Sequence, residues 1–163
     1  MEQTFFYILS VVVLIATLLA ITERHAVHAI VYLATSFFAL AGIFYLLGAP
    51  LIAVFEVIIY AGAIMVLFLF VIMMLDMGQP EKARGPSLKQ WWPALLLGAI
   101  ILGSMFTLFA TTIPETLAGW SYTDAREFSR VLFRRYGVAV EVISLQLLFA
   151  LVGALYLGRR KLP

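Results

Sequence analysis

The chain has 163 residues, 64% of them hydrophobic and 12% charged, with a mean hydropathy of +1.05. A soluble domain carries about 25% charged residues, so an ordinary soluble enzyme is excluded and a polytopic membrane protein fits. The net charge of +2, with scattered basic residues, offers no nucleic-acid surface, and a cysteine count of 0 removes disulfides, Cys-ligated zinc and Cys-held iron–sulfur clusters.

The first apolar run, residues 4–21, ends at a charged knot of Glu23, Arg24 and His25. Met1, Glu2 and Gln3 lack the positive n-region of a signal peptide, and the run is long enough to span, so it reads as a retained transmembrane helix. The second span, 27–47, stops at Gly48, Ala49 and Pro50, where proline ends one helix and starts another. The third, 51–75, holds one carboxylate, Glu56. As a helix it would run roughly 37 Å against a hydrocarbon core of ~30 Å, so it must tilt, bend or carry a local irregularity. Asp76, Met77, Gly78, Gln79 and Pro80 end it and lead into a polar loop with Glu81, Lys82, Arg84 and Lys89. Trp91 and Trp92 open the fourth span, 91–113, as interfacial anchors, and Pro114 closes it.

The stretch 115–137 is the one sizeable part outside the membrane. Its half from Asp124 to Arg135 reads as a short surface helix with Phe128, Val131 and Leu132 on one side. The fifth span, 138–157, is followed by Gly158, Arg159, Arg160 and Lys161. No internal repeat or low-complexity tract is visible. The sequence therefore predicts an all-α fold, one membrane domain over residues 1–163 with five transmembrane helices.

With five spans, the first and third loops share a side with the C-terminus. That side holds Arg24, Lys82, Arg84, Lys89, Arg159, Arg160 and Lys161; the other holds Arg126, Arg130, Arg134 and Arg135. The positive-inside rule places the C-terminus in the cytoplasm and the N-terminus outside. This orientation gives Glu56 and Glu141 a common depth, each within about two turns of its helix start. Tyr60, four residues after Glu56, shares a helical face with it and is placed to donate a hydrogen bond.

Two readings of these acids stand side by side. One is a proton relay or a contact with a hydrated axis. The other is a carboxylate near the interface that snorkels, or that a neighbouring subunit hydrogen-bonds. Ala61, Gly62 and Ala63 form a small-residue patch where another helix can approach closely. His25 and His28, three apart, bring no carboxylate-plus-histidine set with zinc spacing, so capping and interface contacts are the better reading and no metal site is expected. Asp76 is expected to meet solvent or partners. The chain carries no phosphate-cradling glycine loop, no Ser-His-Asp set and no dinucleotide fingerprint, and hence no catalytic centre of its own.

The string FEVIIYAGAIMVLF at 55–68 fixes an acid, a phenol and a glycine at set spacing. It closely resembles the third transmembrane helix of the subunit J family of proton-pumping NADH–quinone oxidoreductase, respiratory complex I. Val27, His28 and Ala29 before it, and Tyr136, Gly137 and Glu141 after it, extend the resemblance over most of the chain. The resemblance implies a π-bulge in the third helix that forms and relaxes as the helix turns. One extra residue in a turn rotates everything beyond it by up to about 100°, so Phe68 would enter or leave a water path. It also implies a coupling or proton-path role for Glu56, Tyr60, Gly62, Phe68 and Glu141, and a multi-pass place in the bacterial cytoplasmic (inner) membrane with the orientation just derived.

The implied neighbours are the quinone-site membrane subunit, the small subunit K and the antiporter-like subunits, with the lipid bilayer around them and quinone met only through the complex. FMN and iron–sulfur clusters would belong to partner subunits, and no cofactor to this chain. The chain would then be a non-redox subunit helping couple quinone reduction to proton translocation. An equivalent subunit of a related membrane-bound hydrogenase or cation/proton antiporter complex is the alternative. A stand-alone transporter should show inverted repeats or paired broken helices, and none is visible.

Overall fold

A computed structural model describes residues 2–75, 88–111 and 125–159. Asp76 and residues 77–87 after it, Pro114, Asp124 and the terminal basic residues Arg160 and Lys161 lie outside the described residues, while Lys89, expected in the loop, falls in the first turn of the helix that starts at Leu88. The described elements are all helical: α1 (Glu2–Thr22), α2 (Ala26–Leu46), α3 (Pro50–Phe55), a π-helical segment (Glu56–Ile64), α4 (Met65–Leu75), α5 (Leu88–Thr111), α6 (Ala125–Arg135) and α7 (Gly137–Gly158). α3, the π segment and α4 join into one continuous helix, Pro50–Leu75. Four helices are long and apolar enough to cross a membrane: Gln3–Thr22, Ala26–Leu46, Pro50–Leu75 and Gly137–Gly158. The shorter apolar part of α5, Trp91–Thr107, supplies the remaining span, fourth in chain order. The fold is thus the expected all-α membrane protein of five transmembrane helices, the third carrying the π irregularity.

Two short turns set the first half of the molecule. At the end of α2, Gly48 adopts a left-handed φ of 77°, which glycine takes without a Cβ penalty. Its N–H bonds to Tyr45 O at 3.1 Å, and Ala49 N–H to Phe44 O at 3.0 Å, which satisfies carbonyls that the helix end would otherwise leave bare. Pro50 then opens α3 at a position where its missing N–H costs nothing. Between α1 and α2, Glu23 Oε1 accepts the backbone N–H of Arg24 at 3.0 Å and of His25 at 3.2 Å. The His25 bond and, less strongly, the Arg24 bond hold this carboxyl below the usual carboxylate range, partial burial opposing them. His25 occupies the N-cap position of α2, yet its side chain makes no capping bond. The side-chain cap expected of the histidine is not made, and the two Glu23 bonds fix the turn that leads into α2.

The core is built where α1, α2 and α5 meet. Leu9, Val12 and Ala16 of α1 pack with Tyr32, Ala39 and Ile43 of α2, and Leu97 and Ile101 of α5 close the cluster. Lipid is as apolar as these side chains, so close van der Waals contact, rather than exclusion from water, holds them together. Small residues make the approach possible: Ala16 and Ala39 are wholly buried. Buried hydroxyls cause no conflict. Ser36 Oγ donates to Leu33 O and Ser104 Oγ to Ile100 O, each at 2.7 Å.

The helices group into two compact units, Met1–Tyr122 with α1 to α5, and Thr123–Pro163 with α6 and α7. In the first, a Cβ at Gly42 would stand 3.0 Å from Leu9 Cδ1 and 4.0 Å from Met105 Cε. Ala at this position needs only a shift of the flexible Leu9 tip. Gly42→Val adds two more carbons against both neighbours and should cost about 1–3 kcal/mol by overpacking. The expected result is a lower midpoint for heat-induced loss of helicity of the detergent-purified chain carrying Gly42→Val, with Gly42→Ala close to the parent. Equal midpoints for all three would disprove the tight α1–α2–α5 contact.

Candidate functional site

The π segment begins at Glu56, the one carboxylate in the third span. Up to this point the ladder is ordinary, with the Glu56 N–H directed at Ile52 O and Ala53 O. At the far end the Met65 N–H reaches back five residues to Tyr60 O, the signature of the wider turn. Wide turns of this kind accommodate one extra residue without leaving amide groups unpaired.

Gly62 lies where the wider winding is most crowded. A Cβ built there would stand 3.1 Å from Val57 O, the carbonyl five residues earlier, so a side chain would have to push that carbonyl by a few tenths of an ångström. Glycine removes the conflict. On either side Ala61 and Met65 are buried, as is Ala53 of α3, and this is the side on which the helix packs against α2. The small-residue patch expected at 61–63 thus serves the segment in two ways, by close packing at Ala61 and by room for a carbonyl at Gly62.

Glu56 is 8% exposed, with Ser36 and Ser104 one of the buried polar residues among those described. Tyr60 is 47% exposed, and its ring lies 5.7 Å from that of Phe37 on α2. Among the described residues no hydrogen bond joins Tyr60 to Glu56. Phe37 is the contact that sequence reasoning missed; an aromatic on the neighbouring helix is no signal by itself. Phe68 sits on α4, beyond the π segment, and is half exposed. Glu141 lies exposed on α7 in the second unit, whose spanning helix contains no buried residue. The structure therefore gathers Glu56, Tyr60 and Gly62 in one irregular segment and leaves Phe68 one to two turns beyond it.

At the α1–α2 end of the first unit, the rings of His25 and His28 are 5.6 Å apart, and His28 meets Trp91 of α5 edge-on at 5.3 Å. His28 thus makes the interface contact expected of it, tying the start of α2 to the start of α5.

A family model for NADH-ubiquinone/plastoquinone oxidoreductase chain 6 matches residues 5–157. The chain belongs to this family. Its bacterial relatives are similar almost end to end. A Pseudomonas aeruginosa protein named NADH-quinone oxidoreductase subunit J is 39% identical, over 98% of this chain and 98% of its own length. The Escherichia coli K12 protein of the same name is 38% identical, over 96% of this chain and 86% of its own. That of Rhodobacter capsulatus is 32% identical, over 95% and 80%. The family match runs from the first span into the last and covers the whole π segment.

Proposed function

We propose that this chain is a non-redox membrane-arm subunit of NADH–quinone oxidoreductase, and that rewinding of its third helix helps couple quinone reduction to proton translocation. Family membership and the names of near-full-length relatives support the first part. The observation that carries the second is the π segment itself, which starts on a buried carboxylate and contains a glycine at which a Cβ would crowd the Val57 carbonyl. A helix with a wide turn has a nearby alternative, the regular α-ladder. Passing between the two moves the side chains of α4 around the axis while every amide keeps a partner.

In this reading Glu56 is the proton-accepting or charge-holding group at the hinge. Gly62 is the positioning residue that lets the backbone change register, and Phe68 is the side chain whose exposure the register decides. Tyr60 and Glu141 complete the set facing neighbouring subunits. Those neighbours are the quinone-site subunit, subunit K and the antiporter-like subunits, within which the whole chain acts as one membrane domain. Electron carriers, FMN and iron–sulfur clusters, reside in partner subunits. The site is the bacterial cytoplasmic membrane, with the N-terminus outside and the C-terminus in the cytoplasm, as the distribution of Lys and Arg argues.

The orientation is tested by single cysteines, clean probes within a chain whose cysteine count is 0. Cysteine at Gln79 should react with an impermeant reagent from the cytoplasm, and cysteine at Ser121 from the opposite side. Reaction of both from one side would end the five-span topology.

For the carboxylates, Glu56→Gln should weaken proton pumping more than Glu141→Gln, because Glu56 opens the π segment. Neither should prevent assembly, since the amide keeps volume and hydrogen bonding. Pumping in vesicles at matched complex content decides it; wild-type pumping by Glu56→Gln contradicts the proposed role.

The hinge is tested by Gly62→Val. The branched side chain collides with the Val57 carbonyl in the π form and stiffens χ1 in either form. NADH oxidation by an artificial acceptor, which bypasses the membrane arm, should stay near normal in an assembled complex. Quinone reduction and pumping should fall together, roughly ten-fold for each ~1.4 kcal/mol added to the barrier. Unchanged pumping, or two states of the complex that share the same winding from Tyr60 to Phe68, would reduce Gly62 to a packing residue.

A further inference from the structure

We propose that α6 lies in the headgroup plane of the membrane and binds anionic phospholipid through Arg126, Arg130 and Arg134. The three arginines recur every four residues, so on a helix they form one stripe, and all three are exposed. Phe128, Val131 and Leu132 occupy the opposite side. Glu127 is the only acid of α6 and borders the stripe, so three arginines against one carboxylate leave it net positive; Arg135, in the last turn, falls on the other side, at the end of the helix next to Tyr136.

The position relative to the bilayer follows from the connection to α7. α7 is a 22-residue apolar helix long enough to cross the membrane, and only Tyr136 separates it from α6. Tyr136 N–H bonds back to Leu132 O at 2.9 Å, and Val140 N–H to Tyr136 O at 3.1 Å, so the joint is short and hydrogen-bonded on both sides. Its φ of −119° and ψ of 21° depart from helical values, marking the break. Tyr136 itself is half exposed and has the amphipathic ring that favours the membrane boundary.

At 1.5 Å per residue, an 11-residue helix extends only about 16 Å from that boundary. Lying flat, it sinks Val131 and its apolar neighbours toward the acyl chains, while the guanidinium groups reach phosphate oxygens in fork geometry. Charge complementarity selects the lipid. Zwitterionic headgroups return no net attraction to a stripe of arginines, whereas anionic ones do.

The test uses the assembled complex in its own membranes. A photoreactive diazirine amino acid replaces Val131, which is 49% exposed, and adducts formed on illumination are identified by mass. The expected product is a phospholipid adduct, enriched in anionic lipid relative to the bulk membrane. Adding Arg130→Gln and Arg134→Gln should lower that enrichment by up to roughly five-fold per arginine removed, while Arg130→Lys with Arg134→Lys should largely retain it. An adduct with a partner polypeptide would overturn the proposal by showing α6 to be a subunit contact. Lipid adducts whose anionic share ignores the Gln pair would overturn it equally, leaving a helix that lies on the membrane by its apolar side alone.

Discussion

A backbone amide inside hydrocarbon has no water to turn to, and every structural choice in this chain is subordinate to that. Helices satisfy the requirement internally, which is why the described spans are helical and why the turns between the first three are so short. The ends are where the rule bites. Gly48 and Ala49 bring their N–H groups back to Tyr45 and Phe44, and the following proline has no N–H to place. Hydroxyls follow suit: Thr17, Thr35 and Ser104 each bond a carbonyl of their own helix. A π turn is tolerated in the third span because it changes which carbonyl each amide meets without stranding any of them.

Packing imposes a second, weaker condition. Without a solvent contrast between protein and lipid, association depends on how closely backbones approach. Ala16, Ala39 and Gly42 let α1 and α2 come together over Leu9, and α5 completes the contact through Leu97 and Ile101. The third span offers α2 only a narrow buried side, Ala53, Glu56, Ala61 and Met65, and leaves most of its large side chains outward. α7 contributes no buried residue at all. Outward apolar surface of this kind meets lipid or other membrane helices.

Span limits were legible because their causes are local. Pro50, the charged Glu23–Arg24–His25 knot and the Trp91–Trp92 pair are boundary signals in any membrane sequence, and the helices begin and end close to them. Excess length in the third span argued for an irregularity but could not say which; the π form came from resemblance to a family. The contact that explains it, Gly62 against the carbonyl of Val57, depends on register rather than residue type and is invisible in a string. The same holds for Tyr60. Spacing by four puts it on the side of Glu56 in a regular helix, yet the segment is wound differently, and the phenol ring lies against Phe37. His25 misled for another reason. Its position is that of an N-cap, but its side chain makes no bond to the first turn, while the carboxylate two residues earlier accepts the amides of Arg24 and His25 and sets the turn.

The composition of α4 sets what a change of winding upstream would do. α3 is held by its proline start and the closed turn before it, and α4 continues the helix beyond the π segment. From Met65 to Leu75 it reads MVLFLFVIMML, apolar on every side. A helix of mixed character is locked in azimuth, because turning it drags a polar group into lipid. An all-apolar helix has no such lock: lipid exacts almost the same solvation energy from it at any angle. Differences in shape alone, an aromatic ring here and a methionine there, would then distinguish one setting from another under the proposed rewinding, and a modest push would suffice to select between them.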